Sequence, residues 1–138
     1  MSPQIPVRLI RQVRQRAGDV CEYCRLPQAS QEATFHVDHV LPRSQSGPTE
    51  LANLALACVT CSLRKSARTS AIVPKTGNTA ALFNPRTDDW SDHFAFTVTW
   101  RLRGRTDTGR ATIEALGMNR TAIVQIRREL VLLNRFPQ

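Results

Sequence analysis

Four cysteines, all of them in two Cys-x-x-Cys pairs, constrain this chain more than any other feature. Cys21-Glu22-Tyr23-Cys24 and Cys58-Val59-Thr60-Cys61 flank residues 25–57. A turn of this spacing aims two thiolates at one point, and two such turns complete a tetrahedral site for Zn²⁺. An ion saturated by four thiolates holds a fold and keeps no open position for a substrate. Two other readings compete. A disulfide framework belongs to oxidising compartments, and the opening MSPQIPVRLIRQVRQR lacks the apolar core of a secretory signal. A thioredoxin-like redox pair needs a single pair beside a βαβ unit. The spacing favours a structural zinc on Cys21, Cys24, Cys58 and Cys61.

A chain of 138 residues fits one domain, 1–138, in which metal binding adds directly to folding. No apolar run reaches the roughly 18 residues of a membrane span, so a cytoplasmic location without membrane partners is expected. The formal net charge is +8, and it comes from arginine: 17 Arg against 2 Lys. Residues 1–25 carry a net +3, residues 26–100 are balanced, and residues 101–138 carry a net +5. Arginine forks match phosphate geometry, which makes nucleic acid the leading partner. The arginine-rich helices at the two ends are expected to extend such a surface.

Periodicity predicts a helix over 5–17, with Gly18 closing it, and a short strand over 34–41 that Pro42 ends. Residues 43–50 carry turn chemistry, and a helix is expected over 60–68. Residues 69–92 read as irregular. The alternation of Phe94, Phe96, Val98, Trp100 and Leu102 predicts one strand over 94–102. Thr108 is expected to cap a short helix ending near Gly117, and a final helix is expected over 121–134. The fold class is α+β.

Between the cysteine pairs lies Phe35-His36-Val37-Asp38-His39-Val40-Leu41-Pro42-Arg43-Ser44, which holds two of the three histidines. Asn53 follows, and a basic helix follows the second pair. Hydrolysing a phosphodiester needs a water, a base, a cation on the leaving oxygen and phosphate contacts. An Asp-His pair at a strand end supplies a hard carboxylate ligand and a neutral base.

These residues resemble the HNH endonucleases of the zinc-bound ββα-metal (His-Me finger) type. The resemblance rests on Cys21-Glu22-Tyr23-Cys24, Asp38-His39-Val40-Leu41-Pro42-Arg43-Ser44, Asn53-Leu54, Cys58-Val59-Thr60-Cys61 and Lys65. It covers residues 17–70 as a nuclease core and leaves 71–138 as an extension of a strand and helices. Leu82-Phe83-Asn84-Pro85-Arg86 and Trp90-Ser91-Asp92-His93-Phe94 resemble an extension in one branch of that family.

The resemblance implies metal-dependent DNA hydrolysis leaving 5′-phosphate and 3′-hydroxyl ends. His39 is then the general base and Asp38 the ligand of Mg²⁺ or another divalent cation. Asn53 is implied to brace the strand that carries His39. The family's Asn or His after the second pair is replaced by Ser62. Strand alternation puts His36 on the face of Asp38, so either Ser62 or His36 completes the cation site. The same alternation sends His39 to the opposite face unless the strand ends or bulges there. Arg43, Arg64, Lys65 and Arg68 are expected to contact phosphate, and His93 is expected to be structural. A zinc-bound nucleic-acid-binding module without catalysis is the alternative.

Overall fold

A computed structural model describes residues 5–137. The architecture is α+β: five helices and three two-stranded antiparallel sheets among the described residues. Helix α1 spans Val7–Ala17. Pro6, with its fixed φ, leads into it, and Gly18 ends it in the left-handed conformation. There the Asp19 and Gly18 amides return to Arg14 O and Gln15 O, satisfying two end carbonyls. The helix rests Val13 on the core.

Strand β1, His36–His39, pairs with β2, Leu54–Ala57, in the register His36 to Ala57 and His39 to Leu54. Strand β2 is a buried Leu-Ala-Leu-Ala run. Helix α2, Val59–Lys65, follows one residue later and packs on both strands. It begins on the second cysteine pair, because the Cys58 sulfur accepts the Cys61 amide at its N-terminus.

The rest of the chain differs from its expected outline. Residues 69–92 contain a hairpin of β3, Ser70–Ile72, and β4, Thr79–Ala81, and the short helix α3, Trp90–His93. The strand expected over 94–102 is two strands, β5, Phe94–Phe96, and β6, Leu102–Gly104, joined by a turn. The Thr97 hydroxyl accepts the amides of Thr99 and Arg101, and the Thr97 amide donates to Arg101 O. Those bonds turn the chain back although the apolar alternation continues, and Val98 is left 98% exposed.

Helix α4, Asp107–Leu116, is capped by Thr106 and not by Thr108: Thr106 Oγ1 accepts the Gly109 amide at 3.0 Å. Thr108 lies inside the helix, where its carbonyl takes the Thr112 hydroxyl. Helix α5, Thr121–Leu132, stops two residues short of the expected end.

Candidate active site and metal centre

The four cysteine sulfurs lie within 4.8 Å of one another and are buried. The two pairs are built alike: the Cys24 amide points at Cys21 Sγ and the Cys61 amide at Cys58 Sγ, at 3.5 and 3.4 Å. Amides aimed at sulfur stabilise thiolate. Hydrogen bonds from Cys21, Cys24 and Cys61 hold the Cys58 thiol far below its ordinary range, while Cys24 and Cys61 are pushed well up by the same crowding. Without a cation the cluster therefore cannot ionise throughout. A divalent ion relieves that conflict, so the donor set fits the zinc expected from the spacing.

The first pair is fastened to the sheet by Glu22. Its amide donates to Leu56 O at 2.9 Å, and its carboxylate accepts the Leu56 amide at 2.8 Å and pairs with Arg86. Trp90 Nε1 donates to Tyr23 O at 2.8 Å, and the Arg25 guanidinium lies over the Trp90 ring. The segments 82–86 and 90–94 thus close over the cysteine centre. Sequence reading missed Glu22, whose position inside Cys-x-x-Cys next to an apolar strand was the available signal.

His39 ends β1. Its ring Nε2 lies 2.7 Å from Thr49 Oγ1, in the segment connecting β1 to β2. Partial burial and then Arg43 push the proton affinity of His39 below its ordinary value, with Asp38 opposing. That shift favours the neutral imidazole, the form able to take up a proton. The segment beyond it is tied down by Asn53. The side chain accepts the Leu41 amide at 2.9 Å and donates to Leu41 O and Pro48 O at 3.0 and 2.9 Å. Gly47 completes the loop, since a Cβ there would overlap the Leu41 carbonyl.

On the α2 side, His36 Nδ1 and Ser62 Oγ are 2.8 Å apart, so the two candidates for the remaining cation position touch each other. Asp38 sits between His36 and His39 in the strand, opposite Ala55. Its charge raises the proton affinity of both His39 and Lys65, against the burial that lowers each. Among the described residues no third His, Cys, Asp or Glu joins His36 and Asp38 in a ligand cluster.

The expected phosphate surface separates into two kinds of residue. Arg43, Arg64 and Arg68 are exposed. Lys65 is not: it is 3% exposed, and its ammonium donates to Val40 O at 3.0 Å and, more weakly, to His39 O at 3.5 Å. The ends of the chain are also less free than their charge suggests. Arg14 donates to Phe35 O, Arg16 to Leu51 O and Leu54 O, and Arg127 is wholly buried. His93 bonds Thr106 Oγ1 at 2.6 Å and packs against Phe83, within the extension.

A strand pair, a helix and a four-cysteine centre, with an Asp-His step at the end of the first strand, define a class of site rather than one protein. Residues 21–68 match the family model for HNH endonuclease. No curated protein and no solved structure gives a significant match to the chain. The family match lies within residues 17–70, where the sequence motifs placed it. No helix among the described residues is long and apolar enough to cross a membrane.

Proposed function

We propose that this protein is a metal-dependent nuclease that hydrolyses DNA phosphodiester bonds. The observation that carries the reading is His39: an imidazole at a strand end, held by Thr49 and next to Asp38, inside the stretch that matches HNH endonuclease. His39 accepts the proton of the attacking water through its ring, with Thr49 fixing the ring's orientation. Asn53 and Lys65 keep the backbone on both sides of that imidazole in place, Asn53 through the 41–48 loop and Lys65 through the carbonyls of residues 39 and 40.

Asp38, with His36 and Ser62, offers a carboxylate, an imidazole and a hydroxyl to a hard divalent cation such as Mg²⁺, which keeps several waters in such sites. When bound, that cation supplies charge stabilisation for the leaving oxygen. The exposed Arg43, Arg64 and Arg68 hold flanking phosphates. Zn²⁺ on the four cysteines is structural. The nuclease core comprises residues 17–70, and residues 71–138 form an extension that covers the zinc centre within one domain.

Plasmid nicking with Mg²⁺, Mn²⁺ or Ni²⁺ tests the reading. Cleavage by the wild type that disappears in His39→Ala supports it, and equal cleavage by both proteins overturns the role of His39. The contact between Ser62 and His36 favours a second reading, since each occupies a site atom of the other. A zinc-bound DNA-binding module without catalysis would bind the plasmid and leave it intact with every metal.

A further inference from the structure

Arg127 lies in the middle of α5 and has no exposed surface. Its guanidinium donates to Met118 O at 2.8 Å, Trp100 O at 3.2 Å and Cys24 O at 3.4 Å, and lies over the Phe96 ring. Its Nε finds no partner among the described residues. Carbonyls and a ring can satisfy donors, but they do not neutralise a charge. Arg127 belongs to neither ion pair that described residues form with each other, Glu22–Arg86 and Asp107–Arg110. A buried cation without an anion is strongly destabilising, and arginine cannot escape by losing its proton.

The anions within reach are the cysteines. The guanidinium bonds the Cys24 carbonyl at 3.4 Å, which sets it beside the cluster of four buried sulfurs. Four thiolates around a divalent ion leave two negative charges in excess. A second cation, Arg25, follows Cys24 directly in the chain and lies partly buried over the Trp90 ring. Two arginines thus lie next to Cys24, beside a centre that carries two negative charges to balance when loaded.

We infer that Arg127 is the buried counter-charge of the tetracysteine metal centre, and that zinc loading and the seating of the C-terminal helix form one equilibrium. The inference rests on the zinc reading proposed above. Its logic is reciprocal: the loaded centre makes the buried guanidinium tolerable, and the guanidinium stabilises the fully ionised thiolate set. Cys24 links the two directly, giving its sulfur to the metal cluster and its carbonyl to Arg127.

The test is zinc affinity of the full chain, measured by competition with a chromophoric chelator, for wild type, Arg127→Lys, Arg127→Gln and Arg127→Met. Loss of an outer partner of a metal site typically weakens binding about 10- to 100-fold. That loss is expected for Gln and Met, and Lys, which keeps the charge, should retain most of the affinity. With Co²⁺ in the site, the thiolate-to-metal charge-transfer band should shift in Arg127→Gln and stay in place in Arg127→Lys, a change that altered packing alone does not produce. Wild-type affinity in Arg127→Gln, or equal losses in Lys and Met, would show that only the carbonyl bonds matter and would overturn the inference. Should the Met variant not fold, the Lys and Gln variants decide: a loss of affinity confined to Gln upholds the inference, and equal losses in the two overturn it. A wild type that binds no zinc sinks the metal reading, and this inference with it.

Discussion

Asn53 and Leu41 form a closed ring: the carboxamide accepts the Leu41 amide and donates to the Leu41 carbonyl, so one side chain imitates a neighbouring strand. Its second N–H reaches Pro48 O, and its own carbonyl accepts the Val40 amide. The turn after His39 is thus held at four points by one residue. Asn53→Asp removes both donors and sets a carboxylate against two carbonyls. A loss of about 1–3 kcal/mol in urea unfolding is expected, together with reduced plasmid nicking. A variant as stable as the wild type would show that the ring is dispensable.

Lys65 is expected to separate from its neighbours in binding experiments. Its ammonium is occupied by the chain's own carbonyls, whereas Arg64 is exposed. Arg64→Gln should lower the magnitude of the salt slope of DNA binding by about one. Lys65→Met should leave that slope unchanged while lowering thermal stability. A reduced salt slope in Lys65→Met would return this residue to the phosphate surface.

Metal removal should unfold the domain. The cysteine centre joins the Cys21–Cys24 turn to the start of α2, and few other contacts could replace it in a chain this small. Chelation, or Cys58→Ser, should abolish the cooperative melt. A transition of unchanged temperature and sharpness after zinc is removed would contradict this.

Gly47→Ala probes the same turn as Asn53 by crowding it. The new methyl overlaps the Leu41 carbonyl, so the loop must move. Overpacking of this kind costs about 1–3 kcal/mol, and the displacement reaches the segment next to His39. Nicking should fall more than stability alone explains. Unchanged turnover would mean that the loop can shift without disturbing the imidazole.

The cysteine centre was legible because ligand spacing is short-range and written directly in the chain. The α1 terminus at Gly18, the first strand and the helix after the second cysteine pair were legible for the same reason: local signals agreed with the final packing, whereas the short buried run of β2 carried no strand signal of its own. The strand over 94–102 was misread because side-chain alternation does not report where a threonine hydroxyl captures backbone amides, as Thr97 does. Arginine was misread in a different way. Arg14, Arg16 and Arg127 are counted as surface charge by composition, yet each reaches carbonyls far away in sequence. Alternation also set His39 apart from Asp38, and the fold meets this by ending β1 at His39, whose ring is held from the connecting segment.

The bonds between Glu22 and Leu56 have a consequence beyond anchoring a cysteine turn. The Leu-Ala-Leu-Ala run of β2 is a short apolar segment of a kind that invites pairing with other chains when an edge lies open. One side of β2 is covered by β1, and on the other Glu22 takes both the amide and the carbonyl of Leu56. Glu22 therefore acts as a surrogate strand at Leu56, and Arg16 takes the Leu54 carbonyl beside it, so the edge is closed to pairing by side chains of two residues.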